Sequence, residues 1–379
     1  MHRAARVATR SPTSVLADTT QISLQKARDI DVARLLVVAP NFKKRLSGVT
    51  STIIQLLPLQ AKRFPIASLG AGLPDIVPCM RWSQVFGLLK RPQGRQFRIW
   101  HARRNVEMIG GILLRDLFRA PMKLVFTSAA QRDHKPFTKW LIRRMDGVIA
   151  TSARSGSFLH VPHTVIRHGI DLAGFVPAAD REAAVAHAGF VGQRLIGCFG
   201  RVREQKGTDL FVAAMIALLP SRPNWTAVIT GRVTEDNRAF ADGLKAQIAA
   251  AGLSERIRFL GEVPDIKPWY QRVSLYVAPS RNEGFGLTPL EAMASGAAVV
   301  ASDAGAYAEM IVQGETGAVV PANDGAALQR AIQVYLDDLA LAEAHGLKAL
   351  AHVRATFPLE GEADAIQAVY ERLWQGAPL

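Results

Sequence analysis

The run Asn282-Glu-Gly-Phe-Gly-Leu-Thr-Pro-Leu-Glu-Ala-Met-Ala-Ser-Gly296 constrains this chain more than any other stretch. Ahead of it, Ser274-Leu-Tyr-Val-Ala-Pro-Ser280 reads as a buried strand. Behind it the pattern predicts a helix, with Thr288 as N-cap, Pro289 at the first helical position and Glu291 at the third. Gly284 and Gly286 keep the intervening turn free of side chains, so a ligand can meet the backbone. Free amides and the positive end of a helix then make a phosphate cradle at the carboxyl end of a strand. Glu283 and Glu291 bracket that cradle. Carboxylates beside a phosphate are better placed to accept hydrogen bonds from hydroxyls than to hold an anion. Phosphates and hydroxyls together describe a sugar nucleotide. The same pattern also fits a plainer arrangement, in which Glu291 closes a capping box with Thr288 and Glu283 is a solvated turn residue.

Around this run the chain repeats one rhythm twice. Arg34–Pro40 predicts a first strand, Asn41–Gly48 a loop ending in glycine, and Val49–Lys62 an apolar-periodic helix, the opening of a doubly wound α/β domain. Further strands are expected at 66–69, 97–100, 123–127, 147–151 and 165–167, with helices between most of them, Lys135–Met145 included. The alternation restarts with a strand over Leu195–Gly200 and a helix over Thr208–Leu219. Strands at 225–230, 257–260, 275–278 and 298–301 follow, then helices over Asp324–Leu336, Leu339–Thr356 and, beyond Pro358, Glu360–Trp374. Such alternation argues for parallel sheets covered on both faces. A chain of 379 residues is long for one core. Two domains are expected, 30–185 and 186–356, joined in the polar, Ala-rich interval Pro177–Gly189, with 357–379 as a closing helix. Residues 1–29, rich in Arg, Ser and Thr without apolar periodicity, read as a disordered extension or as residues ahead of the natural start.

The net charge of +14 is unevenly divided: residues 1–160 hold 27 of the 46 Lys and Arg but only 8 of the 32 Asp and Glu. A one-sided basic surface attracts phosphate-rich partners, whether nucleic acid, anionic lipid or an acidic acceptor. No nucleic-acid-binding motif accompanies the charge, so nucleic acid is not the expected partner. Asn41–Leu56 sets Lys43, Lys44 and Arg45 beside an apolar helix, and Phe137–Arg144 interleaves cations with Trp140 and Leu141. Both are faces suited to an acidic acceptor or to anionic headgroups. Cys79 and Cys198 have no metal-ligand spacing and point to a reducing cytosol. No apolar run is long enough to span a bilayer.

Phe199-Gly-Arg-Val-Arg-Glu-Gln-Lys-Gly207 follows the first strand of the second half. Its glycine allows close approach, and the cations behind it suit a diphosphate. There is no Walker loop, zinc site or serine-nucleophile motif, and no Asp-x-Asp where a metal-dependent transferase would hold Mg²⁺. Neither a cofactor nor a metal is therefore expected, the cations and helix amides taking the metal's electrostatic part.

The stretch from Glu283 to Gly296 resembles the signature of the family 4 retaining glycosyltransferases, whose GT-B fold sets two Rossmann-like domains across a cleft and returns the last helix to the N-terminal domain. The resemblance covers most of residues 34–375. It implies that Glu283 lies near the transferred sugar and Glu291 near the nucleotide ribose, with Gly284, Phe285, Gly286 and Leu287 around the donor. Arg201 and Lys206 match a G-R-x-x-x-x-K-G segment that holds the leaving diphosphate in that family. Gly48 is implied to touch the donor phosphate or the acceptor, its plainer reading being a strand-to-helix turn. His101, in Trp100-His-Ala-Arg-Arg104, matches a His near the donor sugar and joins Glu283 as a candidate catalytic residue. His168 stands where the family commonly has Asn and is read as a structural joint. Glu309, after Gly305-Ala-Tyr-Ala, matches the family's G-G-x-x-E incompletely and is read as a first-turn helix acid.

The mechanism this resemblance implies is retaining transfer from a nucleotide-α-sugar. The acceptor hydroxyl attacks from the face the diphosphate vacates, and a diphosphate oxygen takes the proton. More narrowly, Asn41–Leu56 resembles the lipopolysaccharide core-biosynthesis mannosyltransferases that act on the inner-core acid sugar of lipid A precursors. That implies GDP-mannose as donor, an anionic lipid-linked acceptor, and a cytoplasmic protein peripheral at the inner face of the cytoplasmic membrane. The other readings are glucosyl or heptosyl transfer in another glycan pathway, a basic nucleic-acid-binding protein, and an inactive GT-B scaffold. Intact Glu283 and Glu291 oppose the last.

Overall fold

Two parallel sheets organise the chain in a computed structural model that describes residues 30–43 and 48–377. The extension expected over 1–29 lies outside the described residues, as do Lys44 and Arg45. The first sheet comprises β1 (Val37–Asn41), β2 (Ile66–Gly70), β3 (Cys79–Met80), β4 (Arg98–Ala102), β5 (Met122–Ser128), β6 (Gly147–Ala150) and β7 (Thr164–Val165). Its order is β3-β2-β1-β4-β5-β6-β7. The second comprises β8 (Arg194–Phe199), β9 (Trp225–Thr230), β10 (Ile257–Gly261), β11 (Val273–Ala278), β12 (Ala298–Ser302) and β13 (Gly317–Val320), in the order β10-β9-β8-β11-β12-β13. In each sheet the order reverses beside its first strand, which opens a crevice at the carboxyl edge.

Burial explains why these strands read as continuous apolar runs. Every residue of β1, β4, β9, β11 and β12 is buried, as helices on both faces demand. On one face of the first sheet, the helices Gly48–Ala61 and Leu359–Trp374 cover Val37, Ile99, Val125 and Ile149. On the other, the 3₁₀ turns Trp82–Leu89 and the helices Asn105–Ile112 and Pro136–Ile142 cover Val38, Trp100, Leu124 and Phe126.

The interval Pro177–Gly189, expected as the linker, instead carries a helix over Arg181–His187. Asp180 caps it, accepting a hydrogen bond from the Ala183 amide at 3.0 Å, and Val185 and the following Phe190 are buried in the second domain's core. Its alternating Ala and charged residues gave a solvated look to a helix that buries little more than one side chain. The chain crosses between domains earlier, at Arg167–Ile170, and returns beside that crossing. The Ile170 amide donates to the Phe357 carbonyl at 2.8 Å, and the Leu359 amide to the Ile170 carbonyl at 3.1 Å. Gly169 is required there, because a Cβ would lie 2.5 Å from the Pro358 carbonyl oxygen.

Leu359–Trp374 then returns to the first domain. Ile366, Val369, Tyr370 and Leu373 bury against the same core as Ile53 and Leu56, each contributing about 1.5–3 kcal/mol. Trp374 Nε1 donates to the Phe97 carbonyl at 3.1 Å, and Arg95 pairs with Glu371 at 2.8 Å.

Candidate active site

The two segments singled out in the second half meet because their strands are neighbours. β8 pairs with β11, so the loops leaving Phe199 and Ala278 emerge side by side. They are stitched together. The Arg281 amide donates to the Gln205 carbonyl at 2.9 Å, and Gln205 Nε2 donates to the Asn282 carbonyl at 3.1 Å. The Arg281 guanidinium grips Asp209 through two bonds of 2.7 and 2.8 Å. Gly207, at φ +70°, permits the approach: a Cβ would fall 1.9 Å from the Pro279 carbonyl oxygen. Between the loops lies one pocket, lined by Arg201, Lys206, Thr208, Ser280, Thr288 and Tyr307 among others.

At its mouth the Lys206 ammonium pairs with the Glu283 carboxylate. Tyr307 reaches the same carboxylate with its hydroxyl at 3.5 Å. Gly286, at φ +84°, takes a backbone shape that a side chain would strain, and a Cβ there would strike the Tyr307 ring at 2.4 Å. A Cβ on Gly284 would stand 3.3 Å from the Ala129 carbonyl oxygen, so the turn carrying Glu283 lies against the first domain. Phe285 is buried, its ring edge-on to His168 at 4.9 Å between centroids. Leu287 packs on the same core. Arg201, half-buried, borders the pocket.

The helix after the turn begins one residue earlier than its sequence signals. Leu287 takes the N-cap position without a side-chain bond, and Thr288 is the first helical residue of Thr288–Ala294. The Thr288 hydroxyl faces Tyr276 and Tyr307, which removes it from capping. Glu291 closes no capping box. Its carboxylate accepts the Tyr270 hydroxyl proton at 2.6 Å. Burial raises the Glu291 pKa, while the Tyr270 bond and the charge of Lys206 act to lower it. A helix of two turns adds little field of its own, and the cations lining the pocket are Lys206 and Arg201.

His101 has a different surrounding from the one the resemblance implies. It is fully buried at the end of β4, its Nδ1 2.5 Å from the Tyr370 hydroxyl and its Nε2 2.6 Å from Thr127 Oγ1. Burial, with Arg103 beside it, pushes its pKa well below the ordinary value, so the ring is neutral at physiological pH. Both nitrogens are engaged within the protein, which makes His101 a strut between the sheet and the last helix. Gly48 is exposed at the start of its helix with open space where a Cβ would stand, and its carbonyl accepts from the Thr52 hydroxyl at 3.0 Å. Lys43 is exposed. His168 is the joint expected of it: Nδ1 lies 2.7 Å from Glu362, whose other oxygen accepts the Gly169 amide at 2.8 Å.

The chain matches the family described as Glycosyl transferases group 1 over residues 193–338, the half that carries this pocket. It is 66% identical over 344 residues, 90% of its length and 98% of the relative's, to a lipopolysaccharide core biosynthesis mannosyltransferase, LpcC, from Rhizobium leguminosarum bv. viciae. The chain is a group 1 glycosyltransferase. A second relative, LpsB of Rhizobium meliloti, carries the same description and is 53% identical over 91% of this chain and 99% of its own. Alr3699/HepE of Anabaena, solved in complex with UDP, superposes with a TM-score of 0.77 over 89% of this chain and 100% of that one at 18% identity. Sucrose-phosphate synthase from Thermosynechococcus elongatus gives 0.74 over 91% and 100% at 22% identity. These likenesses establish the GT-B architecture.

Several residues of this glycosyltransferase's site went unmarked in the sequence. Tyr270, Tyr276 and Tyr307 stand behind the pocket, and burial raises all three phenol pKa values. The available signal was compositional: all 5 tyrosines fall after residue 269. Glu309, read as a plain helix acid, joins the domains. It accepts the Ala153 and Arg154 amides at 3.1 and 3.0 Å and the Arg167 guanidinium at 3.0 Å. Among the described residues, no group of three His, Cys, Asp or Glu side chains is placed to hold a metal ion, and no helix is long and apolar enough to cross a membrane.

Proposed function

We propose that this glycosyltransferase moves mannose from GDP-mannose, with retention, to an anionic lipid-linked acceptor in lipopolysaccharide core biosynthesis. The observation that carries the reading is the match along 90% of the chain to a protein described as a mannosyltransferase of that core. The pocket supports the chemistry. Lys206 and Arg201, which line it, would meet the leaving diphosphate, while Glu283, paired with Lys206, would accept hydroxyls of the transferred sugar. Glu291, held by Tyr270, would accept the ribose hydroxyls. No protein nucleophile is invoked: the acceptor oxygen forms the new bond on the face where the sugar–phosphate bond breaks, and its proton passes to the departing diphosphate. Preorganised cations opposite that developing charge supply the main stabilisation. No metal is part of this reading, since the two cations occupy the electrostatic role that a divalent ion would fill.

The reading includes peripheral attachment to an anionic membrane. The helical layer over one face of the first sheet exposes Trp82, Phe86, Leu117, Phe118, Phe137 and Trp140, each between 48% and 77%. Fifteen Lys and Arg but three acids lie between residues 81 and 144, and Glu107 among those acids is buried. Aromatic groups amid cations on one side of a domain suit the interface of an anionic bilayer.

The deciding experiment incubates the full chain with a panel of nucleotide sugars, with and without a lipid A precursor carrying its inner-core acid sugar. Mannosyl transfer from GDP-mannose that needs the precursor is expected. Turnover of UDP-glucose with GDP-mannose left intact would replace mannose by glucose, and salt-sensitive RNA binding without turnover of any donor would overturn the reading.

A further inference from the structure

Several buried or half-buried arginines in this fold find acceptors for their guanidinium groups. Arg98 donates to the carbonyls of Leu35 at 3.0 Å and Val32 at 2.7 Å. Arg104 donates to Asn41 Oδ1 and Thr50 Oγ1, both at 2.8 Å, and pairs with Glu107 at 2.7 Å. Arg256 donates to the Trp225 carbonyl at 2.9 Å and the Arg222 carbonyl at 2.6 Å. Arg103 departs from this rule. It is 9% exposed, and its Nη1 is fully inside with no hydrogen-bond partner among the described residues. The charges of Tyr370, Glu107 and Glu362 act on it through space and oppose the downward push of burial on its pKa. A desolvated guanidinium nitrogen without an acceptor is costly, and folds keep such a group for a reason.

A second orphan lies on the same edge. Thr151, 1% exposed just past β6, has no partner for its Oγ1. β4, β5 and β6 are adjacent, with Thr127 paired to Ile149. Alternation along the strands puts Ile99, His101 and Arg103 on the same face as Thr127, Ile149 and Thr151. The bond from His101 to Thr127 and the contact of His101 with Tyr370 mark that face as the one under the last helix. It lies at the interdomain crossing: Glu362, near Arg103, holds His168, whose ring touches Phe285 beside Glu283.

We propose that Arg103 and Thr151 form an anion subsite on the floor of the interdomain cleft, which docks the negatively charged group of the acceptor, a carboxylate or a phosphate, below the donor turn. The inference rests on the proposed transfer to an anionic acceptor and adds the residues that read the anion. Arg103 supplies the charge, and Thr151 a hydroxyl that orients the same group. Neither takes part in bond making.

The test compares the wild-type chain with Arg103→Met and Arg103→Lys on three acceptors: the lipid A precursor with its acid sugar, its carboxyl methyl ester, and its dephosphorylated form. Donor hydrolysis without acceptor is followed in parallel. Wild type is expected to lose about 10- to 100-fold in kcat/KM for the acceptor whose docking anion has been removed, as for a charge-assisted hydrogen bond. The ester identifies a carboxylate and the dephosphorylated form a phosphate. Arg103→Met is expected to lose the same factor on the unmodified acceptor and to be indifferent to that modification, with donor hydrolysis within about twofold of wild type. Arg103→Lys should retain part of the discrimination. The subsite is overturned if wild type treats all three acceptors alike, or if a folded Arg103→Met still discriminates or loses donor hydrolysis as much as transfer. Should Arg103→Met fail to fold, the wild-type and Arg103→Lys profiles decide by the same criteria. Absence of any donor turnover by wild type would overturn the underlying transferase reading as well, and the acceptor-free arm reveals that separately.

Discussion

The Tyr270 hydroxyl sits 2.6 Å from a Glu291 carboxylate oxygen, and this bond rather than a helix cap fixes where Glu291 points. The Tyr270 ring is itself wedged among Phe175, Phe199 and Tyr276, so the donor cannot drift. A rigid aromatic behind a half-buried acid is how a site holds a carboxylate ready for hydroxyls without spending side-chain entropy on each encounter.

Tyr270→Phe should therefore shift a titration and not merely lower a rate. Burial already raises the Glu291 pKa, and the Tyr270 bond opposes that rise. Removing the bond raises it further. Activity that needs ionised Glu291 then shows its acid limb at higher pH in the variant, in the profile of kcat/KM for the donor. Stability follows the same sign: with the folded pKa above the unfolded one, the contribution is present at low pH and lost as pH rises through the folded value. The variant's stability deficit should thus grow from acid to neutral pH, reaching about 1–2 kcal/mol. An unmoved acid limb would remove Glu291 from donor binding.

Lys206→Ala and Glu283→Ala should each lower kcat by about 10²–10³, the usual cost of losing one charge contact to a reacting group. The fold should survive, since neither side chain belongs to the apolar cores of the two domains and each is partly exposed. Circular dichroism and thermal unfolding check the fold, and single-turnover transfer checks the chemistry. Because the two side chains pair, the double variant should lose less than the product of the single losses. Wild-type turnover in Glu283→Ala would refute its place at the sugar.

Glu309 should make the contact between the domains sensitive to acid. Burial would raise its pKa, but the amides of Arg154 and Ala153 and the Arg167 guanidinium outweigh that and leave it lowered. A depressed folded pKa gives stability that is present above the unfolded value of about 4.3 and lost as pH falls through the folded one. The clamp should hold at neutral pH and loosen as pH falls through the lowered folded value, seen as an increase in radius of gyration by small-angle scattering. Glu309→Ala should show the wider form already at neutral pH, with the donor KM raised several-fold. A radius insensitive to both changes would mean that the crossing at Ile170 and Phe357 alone holds the domains.

The sequence made the architecture readable because parallel strands covered on both faces leave long apolar runs, and β1, β8, β9, β11 and β12 all stand within a few residues of where those runs fall. The pocket was readable because Gly207 and Gly286 mark backbone positions where side chains cannot go, and Gly284 one where a side chain would be tight. What escaped was long-range pairing. Tyr270 to Glu291, Glu309 to Arg154, and His101 to Tyr370 join residues whose local sequence carries no trace of the partner. Thr288 and the helix Arg181–His187 failed for a related reason: a tyrosine pair claimed a hydroxyl that local rules gave to the helix start, and a single buried valine anchored a segment that looked solvated.

Membrane attachment predicts its own dependence on lipid charge. Phe42 bridges the neighbouring turns and helix: its ring lies 5.4 Å from that of Trp82, and a Cβ on Gly110 would touch it at 3.0 Å. Asn105 bonds Thr138 at 2.7 Å, which sets the helix Pro136–Ile142 alongside. Trp82, Phe86, Phe118, Phe137 and Trp140 thus project from one continuous layer. On the proposed attachment, cations would attract this layer to anionic headgroups and the aromatic groups would then enter the interface. Trp82→Ser with Phe86→Ser should weaken binding to vesicles containing phosphatidylglycerol at least about tenfold, because each buried aromatic is worth more than a kilocalorie. Raising salt should weaken the wild type through screening of its cations, while donor hydrolysis in solution stays unchanged. Equal binding to neutral and anionic vesicles, or none to either, would sink the attachment and leave the exposed aromatics without a lipid role.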